Sequence, residues 1–110
     1  MTWREIASNY GYDNDTQSLL QIAVDFLVMF FGYRRDMADQ VMTAFLASYS
    51  QDFGEDDLHH ELSYGIAAIA HYLISLEGPR ESLGDWLMET GHNKTPEEAL
   101  EYFREHYFFR

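Results

Sequence analysis

Residues 57–79 read "DLHHELSYGIAAIAHYLISLEGP", and this stretch decides the fold class. Leu58, Leu62, Ile66, Ile69, Leu73 and Leu76 recur every three or four residues, the period of one face of an α-helix. The run from Asp57 to Glu77 is far longer than a strand, and it lacks the alternation and β-branched bias of one. Gly78 followed by Pro79 ends it, because proline cannot continue a helix. One long helix of about six turns therefore anchors the chain.

The same signals extend outward. Thr2 and Glu5 have capping-box spacing, and Trp3, Ile6, Ala7 and Tyr10 share one face of a first helix that Gly11 stops. After "YDNDT", one of Asn14, Asp15 or Thr16 is expected to cap a second helix running to about Phe31. That helix is apolar nearly all round, with only Ser18, Gln21 and Asp25 as a polar stripe, so it belongs at the centre. A third helix starts near Asp36 and carries Ala38, Val41, Met42, Phe45 and Tyr49. A fifth, over residues 80–90, is built on Leu83, Trp86 and Leu87 and ends at Gly91. The sixth opens on Thr95, Pro96 and Glu98 and turns Ala99, Leu100, Phe103 and Tyr107 inward. No stretch alternates like a strand. The chain is thus an all-α domain spanning 1–110, a bundle of about six helices or a small superhelix, two arrangements that pattern alone does not separate.

Composition narrows the function classes. Apolar residues make up 46% and charged residues 24%, which is globular composition. There is no cysteine, so disulfide, thiolate-metal and cysteine-nucleophile chemistry are excluded. The most apolar run, residues 19–33, is interrupted by Gln21 and Asp25 and is short for a membrane span. The expectation is a soluble cytoplasmic protein. Nineteen acids against seven bases give a net charge of −12. Such a field repels nucleic acid and anionic membranes and attracts basic partners, although acidity also serves solubility alone.

The acids concentrate in "DFGEDDLHHEL", residues 52–62. Asp56 or Asp57 as a helix cap explains part of this, since acids at a helix start satisfy free N–H groups. A metal site is poorly supported. His59 and His60 are adjacent and diverge by about 100° on a helix, and His71 lies about 16 Å beyond His60. Asp13 and Asp15 begin like a calcium loop that then lacks its glycine and glutamate. Catalytic motifs are absent: there is no nucleophile elbow and no phosphate-binding loop. His60, Tyr64, Ala67 and His71 form a second stripe on the fourth helix, more in keeping with packing on two sides than with an acid–base pocket. The expectation is a non-enzyme with no cofactor and no metal.

A binding surface remains. Tyr10, Tyr12, Asp13 and Asp15 form one aromatic–acidic turn, and Tyr49, Asp52, Phe53 and Glu55 form another, continued by Asp56, Asp57, His60 and Glu61. Tyrosine offers large contact area at low entropic cost, and carboxylates beside it pair with Lys and Arg of a partner. Glu97, Glu101 and Glu105 line the outer face of the sixth helix, and the terminal "HYFFR" carries apolar area for docking onto the core or for a dimer or partner contact.

In these respects the chain resembles bacterial immunity proteins, the cognate inhibitors of nuclease toxins in colicin-type and contact-dependent inhibition systems. The residues that carry the resemblance are "GYDNDT" (11–16) and "DFGEDDLHHEL" (52–62). It is a likeness of type rather than of an aligned motif. It implies a stoichiometric inhibitor that covers the basic active site or substrate groove of a toxin. The class spans several folds, so the likeness says nothing about architecture. The alternatives are a nucleic-acid mimic that blocks a nucleic-acid-binding protein, a small His/carboxylate metal protein using His60 and His71, and a structural subunit or chaperone.

Overall fold

Six α-helices and no strand make up residues 1–107, the part of the chain that the computed structural model describes. They are α1 (Trp3–Asn9), α2 (Asn14–Phe31), α3 (Arg35–Tyr49), α4 (Glu55–Ala70), α5 (Leu83–Thr90) and α6 (Glu97–Tyr107). The start of α1 is the expected capping box: Glu5 N donates to the Thr2 hydroxyl and Thr2 N donates to the Glu5 carboxylate. The cap of α2 lies one residue before the expected set. Asp13 Oδ1 accepts from Thr16 N at 2.8 Å, and the Thr16 hydroxyl oxygen lies 2.9 Å from the same carboxylate oxygen.

Helix α2 is the axis of the molecule and packs against α3, α4 and α6, while α1 packs on α3. Leu19, Leu20, Ala23, Val24, Phe26 and Leu27 are all at most 1% exposed. Each large apolar side chain buried this way contributes about 1.5–3 kcal/mol. Facing α2, the run from Ile66 to Ala70 is buried, and its three alanines let the two helices approach closely. Ser63 adds a buried hydroxyl that donates to the Leu19 carbonyl at 2.8 Å.

The polar stripe of α2 has a structural role. Gln21 accepts from Arg4 and donates to Asp25. Asp25 also accepts from Arg35 at 2.6 Å and from the Tyr102 hydroxyl at 2.6 Å. One carboxylate with a side chain only 13% exposed thus links α2, α3 and α6. A charge so placed is tolerable because it is paired and hydrogen-bonded. The arrangement holds Tyr102 in its protonated form, with a pKa pushed up to about 12 by burial and then by the Asp25 carboxylate.

The fourth helix departs from the continuous stripe expected for it. It begins two residues earlier, at Glu55, with Gly54 rather than Asp56 or Asp57 at the cap position, and Asp57 reaches back to accept from Gly54 N at 3.2 Å. It kinks at Leu62, whose backbone (φ 59°, ψ −178°) lies in a region that side chains rarely adopt. Leu62 is consequently 36% exposed, while Leu58 and Ile66 on either side are 1% exposed. After Ala70 the chain widens into a π-turn, His71–Ser75, and Leu76 is 51% exposed. Glu77, not Gly78, takes the left-handed conformation that ends the helix (φ 51°). Gly78 serves close approach instead: a Cβ there would fall inside the Tyr72 ring, whose hydroxyl donates to the Pro79 carbonyl at 2.8 Å.

The fifth helix is preceded by a 3₁₀ turn, Arg80–Ser82, and buries only Leu83, with Trp86 and Leu87 half-buried. Tyr10, expected on the inner face of α1, is 53% exposed because the helix ends at Asn9 and the ring tilts toward Tyr12 instead. In "HYFFR", His106 stacks on Tyr102 and Tyr107 stacks on Phe103, whereas Phe108, Phe109 and Arg110 lie outside the described residues.

Candidate functional site

The two acidic turns are distant in sequence and adjacent in the fold. The α1–α2 turn and the start of α4 meet at Thr16, whose side chain is fully buried. Its Oγ1 lies 2.6 Å from Glu55 Oε2, 2.9 Å from Asp13 Oδ1 and 2.9 Å from His59 Nε2. Asp13 N also donates to Glu55 Oε2 at 3.3 Å. Two carboxylates that would repel each other are held together because backbone and side-chain donors lie between them. The donors balance when His59 carries its proton on Nε2 and gives it to the Thr16 oxygen, which frees the hydroxyl proton for Glu55. Tyr12 packs beside this cluster, and its hydroxyl pKa is raised, first by burial and then by the negative charge of Glu55 and by Tyr10.

This hub sets the two acidic turns side by side. Asp13, Asp15, Asp52, Asp56 and Asp57 are exposed, as is Tyr10. Tyr12, Tyr49 and Glu55 are half-buried. The Tyr10 and Tyr12 rings sit 5.9 Å apart at 35°. Phe53 does not belong to the surface. It is 8% exposed, with its ring 5.6 Å from Phe45, and the Arg80 guanidinium lies 4.9 Å over its face. The turn folds this aromatic inward to close the end of the core, and Tyr49 stacks on the same Phe45 ring at 6.1 Å. Phe53 is therefore corrected from a contact residue to a core residue.

His60 and Glu61 fall elsewhere. They border a notch between α4 and the α5–α6 connection, a space of about 430 Å³ that also touches Gly65, Leu87, Met88 and His92. The second stripe of α4 leads from this notch into an aromatic cluster. Phe31 lies 5.1 Å from the rings of both His71 and His92, and Trp86 lies 6.3 Å and 5.3 Å from the same two rings. Tyr33 pairs with His71 Nδ1 at 2.6 Å and with Ser75, and Tyr64 pairs with His92 Nδ1 at 2.9 Å. Burial pushes the pKa of both histidines down, and His92 lowers that of His71 further. Both imidazoles are thus neutral packing elements that dock α5 on α4.

The hub residues Thr16 and His59 are not among the residues expected at the site. The one local signal is the Asp13–Thr16 spacing of a helix start. Another opening, a groove of about 460 Å³ between α1 and α3, is lined by Met1, Trp3, Thr43, Ala44 and Ala47 together with Arg4 and Asp39, and Asp39 accepts from the Trp3 indole at 3.2 Å. Among the described residues no three His, Asp or Glu side chains are placed to hold a metal ion, and no helix is long and apolar enough to cross a membrane. No family model, curated protein or solved structure matches the chain.

Proposed function

We propose that this protein is a stoichiometric inhibitor, of the immunity-protein type, that binds a basic, nuclease-like toxin in the cytoplasm and covers its active site or substrate groove. The observation that carries this reading is the meeting of the acidic α1–α2 turn and the acidic start of α4 at Thr16, on a chain of net charge −12. A groove that holds phosphates is cationic, and a preformed array of carboxylates accelerates encounter with it and fixes register. Tyr10, at 53% exposure beside Tyr12, supplies the aromatic anchor such interfaces concentrate their energy in.

The test is capture of the partner on the immobilised protein from the native organism, with elution by a salt step and identification by mass spectrometry. One basic nuclease-like protein bound one to one supports the reading. A broad set of nucleic-acid-binding proteins would favour nucleic-acid mimicry instead, and capture of nothing would leave the acidity to solubility. With the partner in hand, the Asp52→Asn, Asp56→Asn, Asp57→Asn variant is expected to associate about tenfold more slowly at low salt, with its unfolding midpoint little changed. Equal association rates would remove these three residues from the interface.

A further inference from the structure

The notch between α4 and α5 is a different kind of place from the acidic turns. Glu61 lies at its edge, four residues before Gly65 and across the kink at Leu62. A Cβ built on Gly65 would stand only 3.0 Å from Glu61 Oε2 and 3.2 Å from Glu61 Cβ. The carboxylate is therefore laid down over bare backbone, toward the notch, in a position that any larger residue at 65 would push it from. Glu61 belongs to neither of the two ion pairs of the described residues, which are Arg34–Asp36 and Arg35–Asp25. No lysine or arginine lines the notch.

The remaining walls, which also include His60, Asn93 and Thr95, favour one class of ligand. Leu87 and Met88 provide apolar surface, and Met88 is 72% exposed, an adaptable thioether facing solvent. His92 contributes an imidazole that burial keeps neutral, so it does not oppose a cation. Gly84 leaves open space across from α4. The volume, about 430 Å³, is within the roughly 300–1,000 Å³ of small-ligand clefts. A half-buried unpaired carboxylate, an uncharged ring and a short apolar wall complement a planar cation on an alkyl stem. A guanidinium suits them better than an ammonium, because it is more weakly hydrated, stacks on rings and pairs with a carboxylate through two parallel N–H bonds.

We propose that this notch is a binding pocket for an arginine side chain of the protein partner, with Glu61 as its carboxylate and His92, Leu87 and Met88 as its walls. The assignment rests on the protein-binding reading above and adds to it a second contact, separate from the two turns, that selects for guanidinium. The acidic face brings a basic surface close, and the notch takes up one residue of it.

The experiment needs no partner. N-acetyl-arginine amide is titrated into the ¹⁵N-labelled protein and followed by NMR, with N-acetyl-lysine amide as the comparison and sodium chloride as the ionic-strength control. Saturating shifts at the amides of Gly65, Gly84 and Asn93 and at the His92 ring are expected, in the millimolar range. Lysine amide is expected to bind about tenfold more weakly, and Glu61→Gln and Gly65→Ala should each weaken arginine by a similar factor. Shifts no larger than those from sodium chloride, an unchanged affinity in Glu61→Gln, or equal affinity for the two amides would each overturn the proposal. The two tests fail separately: a negative titration removes the notch and leaves the acidic face to the partner capture, and an empty capture leaves the guanidinium affinity of the notch as measured.

Discussion

Replacing Thr16 by valine removes one hydroxyl and keeps the shape of a fully buried side chain. The consequence follows from what that hydroxyl touches. It donates to Glu55 at 2.6 Å, lies 2.9 Å from Asp13 and meets His59 Nε2 at 2.9 Å. Hydrogen bonds to charged groups contribute about 1.5–3 kcal/mol each. Glu55 keeps its bond from Asp13 N and is partly reached by water, so the lower half of that range applies, about 2 kcal/mol. Unfolding entropy of about 2.1 cal/mol/K per residue over 110 residues converts this to a fall in Tm of about 9 °C. Thermal unfolding followed by far-UV circular dichroism at neutral pH measures it. Thr16→Ser keeps the hydroxyl and loses one buried methyl, and should cost about 1 kcal/mol. A cycle combining Thr16→Val with Glu55→Gln should show a coupling of about 1 kcal/mol. A Thr16→Val loss below about 0.5 kcal/mol, or strict additivity in the cycle, would refute the reasoning that this hydroxyl holds the two turns together.

Further outcomes follow from other parts of the molecule. His71 and His92 have folded-state pKa values below the ordinary 6.5, so the folded state binds fewer protons than the unfolded one. Their contribution is complete above that value and is lost as pH falls below it, so the urea midpoint should drop between neutral pH and pH about 5, with a shallower slope in His92→Gln. Tyr102 is the opposite case: its pKa of about 12 exceeds the ordinary 10, so stability should fall as pH rises between these values. Tyr102→Phe should flatten that fall and remove the last step of tyrosinate absorbance. Gly78→Ala sets a methyl into the Tyr72 ring and should cost about 1–3 kcal/mol in chemical denaturation, with loss of the Tyr72–Pro79 bond.

Helix type and order are legible in the sequence because apolar spacing and caps are local signals. Thr2 and Glu5 form their capping box, and the all-round apolar α2 is the buried axis. The kink is not legible. Leu58 and Ile66 face inward on either side of it, so the sequence reads as an unbroken stripe although Leu62 between them turns out. Gly78 reads as a conformational stop, yet the left-handed residue is Glu77, since the need for a glycine there comes from the Tyr72 ring. The acidic turns are visible as composition, but their contact is not. Thr16 and His59 are 43 positions apart, and no periodicity links them. Phe53 misleads for a related reason: an aromatic among acids reads as exposed until the turn is seen to fold it onto Phe45.

The order of helix contacts has a consequence for how the chain reaches this state. Helix α1 packs on α3, and α2 packs on α3, α4 and α6, most extensively on α4. A fragment of the first 50 residues would carry an α2 whose broadest apolar face has nothing to cover it. Asp25 would sit beside Arg35 without its bond from Tyr102, which is 77 positions away. The contacts of α2 with α4 and α6 therefore join the two halves, and unfolding should follow one cooperative transition rather than two. During synthesis the helices can form as they emerge, but the broadest face of α2 stays open until α4 arrives and is completed only by α6, and in that interval the unfinished chain is most exposed to aggregation and proteolysis.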